Sequence, residues 1–194
     1  MTASTENTST AAFQAHLDIA AASAHADPER ADLLAELANS RHFLRFTTRG
    51  LTDEQARQRP AASELCLGGL IKHVTEATGT WTRYLTEGPA AMPDFAAMTP
   101  ADWERRADQF RLLPDETLQG VLDDFEKASA ATDEAIRTVP DLNTEHALPN
   151  APWFPPDATW TVRKAILHII SEISQHAGHA DIIRESIDGA KSMG

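Results

Sequence analysis

The stretch that most constrains this chain is Thr161–Gly189, TVRKAILHIISEISQHAGHADIIRESIDG. Its apolar residues recur at steps of three and four, which predicts one long helix with a buried face. On a wheel at about 100° per residue, Ile166, Ile169, Ile170, Ile173, Ala177, Ala180 and Ile187 form one arc. Glu172 and His176 fall at its margin, near Ala165 and Ile183, with His168 and His179 a step further towards solvent. A carboxylate at the edge of a core costs free energy unless it is paired or binds a cation. The residues alone leave two readings open. Glu172 and His176 are either a hydrogen-bonded pair at i, i+4 on a half-exposed face or two ligands of a metal.

The rest of the chain reads as more helices. Asp27-Pro28 has the form of a helix start, an N-cap followed by proline, and the apolar spacing runs on to about Thr48, with Gly50 as the stop. Thr52-Asp53-Glu54-Gln55 is a capping box over a short turn. Leu67–Glu87 is a second long helix, ended by Gly88-Pro89, and Thr99-Pro100 opens a short one through Leu112 whose Trp103 and Phe110 are expected to pin it to the bundle. Pro114-Asp115 is expected to open a third long helix to about Val139. The proline density of 140–158 predicts no regular element there; a long loop bearing Trp153 and Phe154 suits a lid or wall. Residues 1–9 are expected to be a disordered tail, residues 10–24 a further helix, and residues 10–194 a single domain. Four long helices make an all-α four-helix bundle. The roughly 25-residue connection between the second and third long helices predicts a crossover there.

Bulk properties narrow the function. A length of 194 residues fits one domain. A net charge of −12, spread along the chain, argues against nucleic acid as the partner. The single cysteine, Cys66, excludes an internal disulfide and a cysteine zinc cluster; it reads as a small buried hydrophobe. No apolar run reaches about 18 residues, and MTASTENTST has no secretory pattern, so no membrane contact and a cytoplasmic location are expected. His16, His25, His42 and His146 need only ordinary surface or core roles. On the second long helix His73 lies at the margin of the apolar arc. Were that margin to face Glu172 and His176, the three would form a two-histidine, one-carboxylate site with an open position, the pattern of catalytic metal centres. Zinc suits this set best; nickel, iron and manganese also fit.

Glu172-Ile-Ser-Gln-His176-Ala-Gly-His179-Ala-Asp181, continuing through Arg184-Glu185 and Ile187-Asp188-Gly189, resembles the last helix of the DinB-like superfamily. Gly68-Gly69-Leu70-Ile71-Lys72-His73-Val74, followed by Trp81, matches the superfamily's second-helix motif, and Thr52–Pro60 its preceding segment. The resemblance spans residues 31–189 and is strongest to the branch related to mycothiol-dependent maleylpyruvate isomerase and to mycothiol and bacillithiol S-transferases. It implies an up-down-down-up bundle and a divalent metal held by His73, Glu172 and His176. It also implies a transferase that joins a low-molecular-weight thiol, mycothiol in the first instance, to an electrophilic small molecule, and a homodimer is compatible with it. His179 is then the candidate catalytic residue, orienting a ligand or shuttling a proton. Arg163 and Arg184 are candidate anion contacts whose simpler role is surface ion pairing, and Trp153, Phe154 and Trp160 are candidate pocket walls. A hydrolase that activates water on the same site, or a non-catalytic metal-binding stress-response protein, remains as an alternative.

Overall fold

The structure is a computed structural model, and it describes residues 27–95, 97–151 and 153–192. The expected tail and the helix over 10–24 lie outside the described residues, as do His16 and His25. Six α-helices are described: α1 (Pro28–Phe46), α2 (Asp53–Arg57), α3 (Leu67–Glu87), α4 (Pro100–Asp108), α5 (Leu118–Thr138) and α6 (Val162–Asp188). Two short strands, β1 (Glu145–Ala147) and β2 (Thr159–Thr161), precede α6. No described helix is long and apolar enough to cross a membrane.

The caps set the helix boundaries. Asp27 accepts from the Arg30 amide ahead of Pro28, and Thr52 and Gln55 form the expected reciprocal box on α2. Gly88 and Gly189 close α3 and α6 with positive φ of 64° and 76°, which favours glycine. Thr161 caps α6 by accepting from the Lys164 amide.

Three expectations about elements are corrected. First, α5 begins at Leu118 rather than at Pro114. Glu116 is drawn out of helical pairing by Lys72 Nζ at 2.7 Å and the Leu113 amide at 2.7 Å, and Thr117 takes the cap. Second, α4 ends at Asp108 and buries no residue; Trp103 stands 46% exposed, and the segment is anchored beyond the helix by Phe110 and by Leu112, 5% exposed. Third, the proline-rich connection does hold regular structure. Glu145–Ala147 pairs antiparallel with Thr159–Thr161, His146 opposite Trp160, because its prolines lie outside both paired triplets.

Cross-helix contacts fix the topology. Along α1 and α6 the partners ascend together, Glu29 with Arg163, Ser40 with Ser174, Thr47 with Arg184, so the two helices run parallel. Lys72 with Glu116 and Thr82 with Thr132 make α3 and α5 parallel as well. Arg41 with Asp133 and Arg45 with Glu126 make α1 antiparallel to α5. The result is the up-down-down-up bundle, with α4 inside the crossover. Its core includes Leu37, Leu44, Leu70, Ile71, Ile136, Ile166, Ile169 and Ile173, all at most 1% exposed. Burying each such side chain contributes about 1.5–3 kcal/mol. Turning α6 about its axis would forfeit several of these at once, so the core fixes the direction in which Glu172 and His176 point.

Candidate metal centre

Helices α3 and α6 pack antiparallel, and their margins meet as the sequence suggested. Glu172 Oε1 lies 3.3 Å from His73 Nε2 and 3.3 Å from His176 Nε2. One ligand atom from each residue falls within 4.8 Å of the others. The three side chains are 12%, 23% and 13% exposed, so the cluster is largely but not wholly covered. The carboxyl of Glu172 is held far below the usual carboxylate range by hydrogen bonds from His176 and His73, which outweigh its burial.

The glycine pair of the second-helix motif has a steric role here. A Cβ on Gly69 would sit 2.0 Å from the Phe110 carbonyl oxygen, and one on Gly68 2.8 Å from Leu112 Cβ. Their absence lets residues 110–112 lie against the first turn of α3. Phe110 is thereby stacked on His73, ring centroids 4.2 Å apart. Cys66 caps the same turn, 2% exposed, its Sγ accepting from the Gly69 amide at 3.4 Å; no nucleophilic role is indicated.

His179 touches the far edge of the His176 ring, Nδ1 to Nδ1 at 3.4 Å. It reaches the triad through His176 alone. His168, which the helical wheel turned towards solvent, is half-buried instead. Its ring packs edge-on against Trp81 at 4.7 Å and Trp160 at 5.2 Å, and burial lowers its pKa despite the charge of Glu172. The wheel failed because the cover comes from another helix and from β2; Trp81 and Trp160 are themselves stacked 5.0 Å apart.

A cleft of about 290 Å³ opens beside the triad, with His73, Glu172 and His168 in its lining. Trp81, Trp153 and Phe154 form its aromatic walls. Trp153 and Phe154 are thus placed as the sequence suggested, whereas Trp160 backs the wall. Arg163 and Arg184 are committed elsewhere. Arg163 pairs with Glu29 and donates to Asn143. Arg184, 6% exposed, donates to the Thr47 and Arg49 carbonyls and clasps Asp188, tying the end of α6 to the end of α1. His42 packs on Phe43 and Phe46, and His146 on Tyr84, as ordinary structural residues.

The donor set suits a divalent metal. Two imidazole nitrogens and one carboxylate oxygen converge at an opening, a combination common to zinc and neighbouring transition metals.

Comparison with known proteins agrees with this architecture. Among solved structures, a crystal structure of a conserved protein from Enterococcus faecalis matches with a TM-score of 0.54 and 17% identity, over 80% of this chain and 94% of that one. At that identity the likeness speaks for the fold alone. No curated protein matches. The family model described as mycothiol S-transferase matches residues 32–189. With that match over most of its length, the DinB-like chain belongs to the mycothiol S-transferase family.

Proposed function

We propose that this protein is a metal-dependent S-transferase that joins mycothiol to an electrophilic small molecule. The observation that carries the reading is the convergence of His73 Nε2, Glu172 Oε1 and His176 Nε2 beside an aromatic-walled cleft. His73, Glu172 and His176 would hold the metal, with zinc the best match to the donors. When bound, a divalent cation lowers the pKa of an adjacent thiol, so that thiolate forms near neutral pH.

The chain's own residues supply the rest. Glu172 stays ionised, because both histidines hydrogen-bond to it, and so offers the site its one negative donor. His179 Nδ1 lies 3.4 Å from His176 Nδ1, a contact that would hold the His176 ring with its Nε2 turned towards Glu172 and the metal position. Trp81, Trp153 and Phe154 hold the apolar body of the electrophile and exclude water. In the transfer the S–H bond breaks and a C–S bond forms, while the electrophilic carbon gives up its bond to a leaving group (bromide or chloride in the test substrates below), which departs with the electron pair. The proton passes to a ring nitrogen of His168, a neutral base in the cleft wall.

The test is conjugation of mycothiol to monobromobimane or chlorodinitrobenzene by the zinc-loaded protein, with His73→Ala alongside. Thiol and electrophile should disappear one for one, and His73→Ala should abolish the reaction. Loss of electrophile without loss of thiol would mean a hydrolase.

A further inference from the structure

Arginine pairing singles out a second feature of the cleft. Among the described residues almost every arginine is committed to a carboxylate or a backbone carbonyl. Arg83 and Arg106 are the exceptions, and both line one groove of about 540 Å³. That groove adjoins the metal-side cleft. Thr80, Met92, Pro93, Arg106 and Gln109 belong to the walls of both. Arg106 therefore stands at the junction, half-buried, its guanidinium 5.5 Å from the Phe95 ring centre. Asp102, also in the groove wall, is already taken by Thr99 and Arg105, and Asp94 completes the acidic lining.

An unpaired guanidinium half out of water, in a chain of net charge −12, leaves its five-donor fork open to an incoming anion. Position matters as much as charge. His73, Thr80 and Arg83 follow one another along the groove side of α3, and ten residues of helix span about 15 Å. Glu76, one turn from His73, is an exposed carboxylate in the metal-side cleft and disfavours an anion at that end. An extended ligand is thus polarised: reactive carbon near the triad, apolar body between the aromatic walls, negative group at Arg106.

We infer that Arg106, assisted by Arg83, forms a carboxylate-binding subsite, and that the electrophile class of this protein is an apolar, preferably aromatic, carboxylate. The assignment of that ligand as the electrophile rests on the transferase reading; the subsite itself does not. The test is titration calorimetry of the purified protein, without thiol, using 4-nitrobenzoate and its neutral counterpart 4-nitrobenzamide. One charge-assisted hydrogen-bonded pair should favour the acid over the amide by at least about tenfold. In Arg106→Gln the acid-to-amide ratio should fall to near one, in Arg106→Lys it should be partly kept, and Arg83→Gln should lower it by less. Equal binding of acid and amide to the wild type, or a preference that survives in the Arg83→Gln/Arg106→Gln double variant, would overturn the subsite. Because thiol is absent, those outcomes leave the transferase reading intact. Conversely, failure of mycothiol conjugation with a neutral electrophile would sink the transferase reading and not the subsite.

Discussion

Zinc should stabilise this protein through Glu172 above all. Glu172→Gln keeps the side chain's shape and removes the single negative donor of the triad, whose oxygen stands 3.3 Å from each histidine nitrogen. A ligand that binds only the folded state at 100 times its Kd adds about 2.7 kcal/mol. For a chain of this length each kcal/mol is worth about 2–4 °C in Tm. Saturating zinc should therefore raise the wild-type Tm by roughly 5–10 °C. Two unit charges 4 Å apart interact by about 4 kcal/mol at the effective dielectric of a partly screened site. Losing the negative member thus removes enough affinity to leave the variant unsaturated at the same zinc concentration, and its shift should fall close to zero. The assay is differential scanning fluorimetry with zinc against chelator, each variant compared with its own metal-free baseline so that changes in intrinsic stability cancel. Glu64→Gln, an exposed carboxylate paired with Arg59, is the control and should behave as wild type. A Glu172→Gln shift equal to the wild-type shift, or a wild type that does not respond to zinc, would refute the reasoning.

Other perturbations read different parts of the same site. His179→Ala should weaken zinc binding by roughly 10–100-fold, the usual cost of losing a group that orients a ligand, while the content of helix by circular dichroism is unchanged; unaltered zinc affinity would remove His179 from the site. Gly69→Ala places a Cβ 2.0 Å from the Phe110 carbonyl oxygen, so the 110–112 segment must move off α3; a loss of about 1–3 kcal/mol is expected in urea unfolding, with weaker zinc binding as Phe110 leaves His73. In metal-free protein the folded-state pKa of Glu172 lies below its ordinary 4.5, so its contribution to stability is complete above that value and is lost as pH falls through the depressed one. The Tm gap between wild type and Glu172→Gln should accordingly narrow between pH 6 and pH 3, and a constant gap would contradict the assigned hydrogen bonds.

How much of this could be read from sequence depended on whether the signal was local. The limits of α3 and α6 were legible because glycines close them and, for α6, because a threonine caps its start. The meeting of His73, Glu172 and His176 was legible because each sits at the edge of an apolar arc, and two arcs that share one core can bring their edges together. The start of α5 was not, because Pro114-Asp115 has the local form of a helix start while Lys72, forty-odd positions earlier, holds Glu116 in a turn. Three-residue strands are too short to show alternation. His168 was misplaced because a wheel knows only its own helix, and its cover comes from Trp81 and Trp160. Arg106 carries no local mark at all. Whether an arginine is left without a partner depends on what surrounds it once α4 has docked.

On the proposed function, the division between helix and connection would also separate the chemistry from the choice of substrate. His73, Glu172 and His176 sit on α3 and α6, whose rotation is fixed by residues such as Ile71, Ile169 and Ile173, each at most 1% exposed. Repacking that core costs several kcal/mol, so the three candidate ligands are held by well-buried helices. The far walls of the cleft, Phe95, Arg106, Trp153 and Phe154, come instead from the crossover and the proline-rich connection. Connections tolerate exchange of side chains at little cost to the core. Substitution there should change which electrophile fits while zinc binding stays constant, and substitution at the triad should do the reverse. The coupling between the two halves runs through Gly68-Gly69, where the crossover touches α3 and seats Phe110 on His73. That contact accounts for a glycine pair at a helix start, where backbone entropy alone would disfavour it.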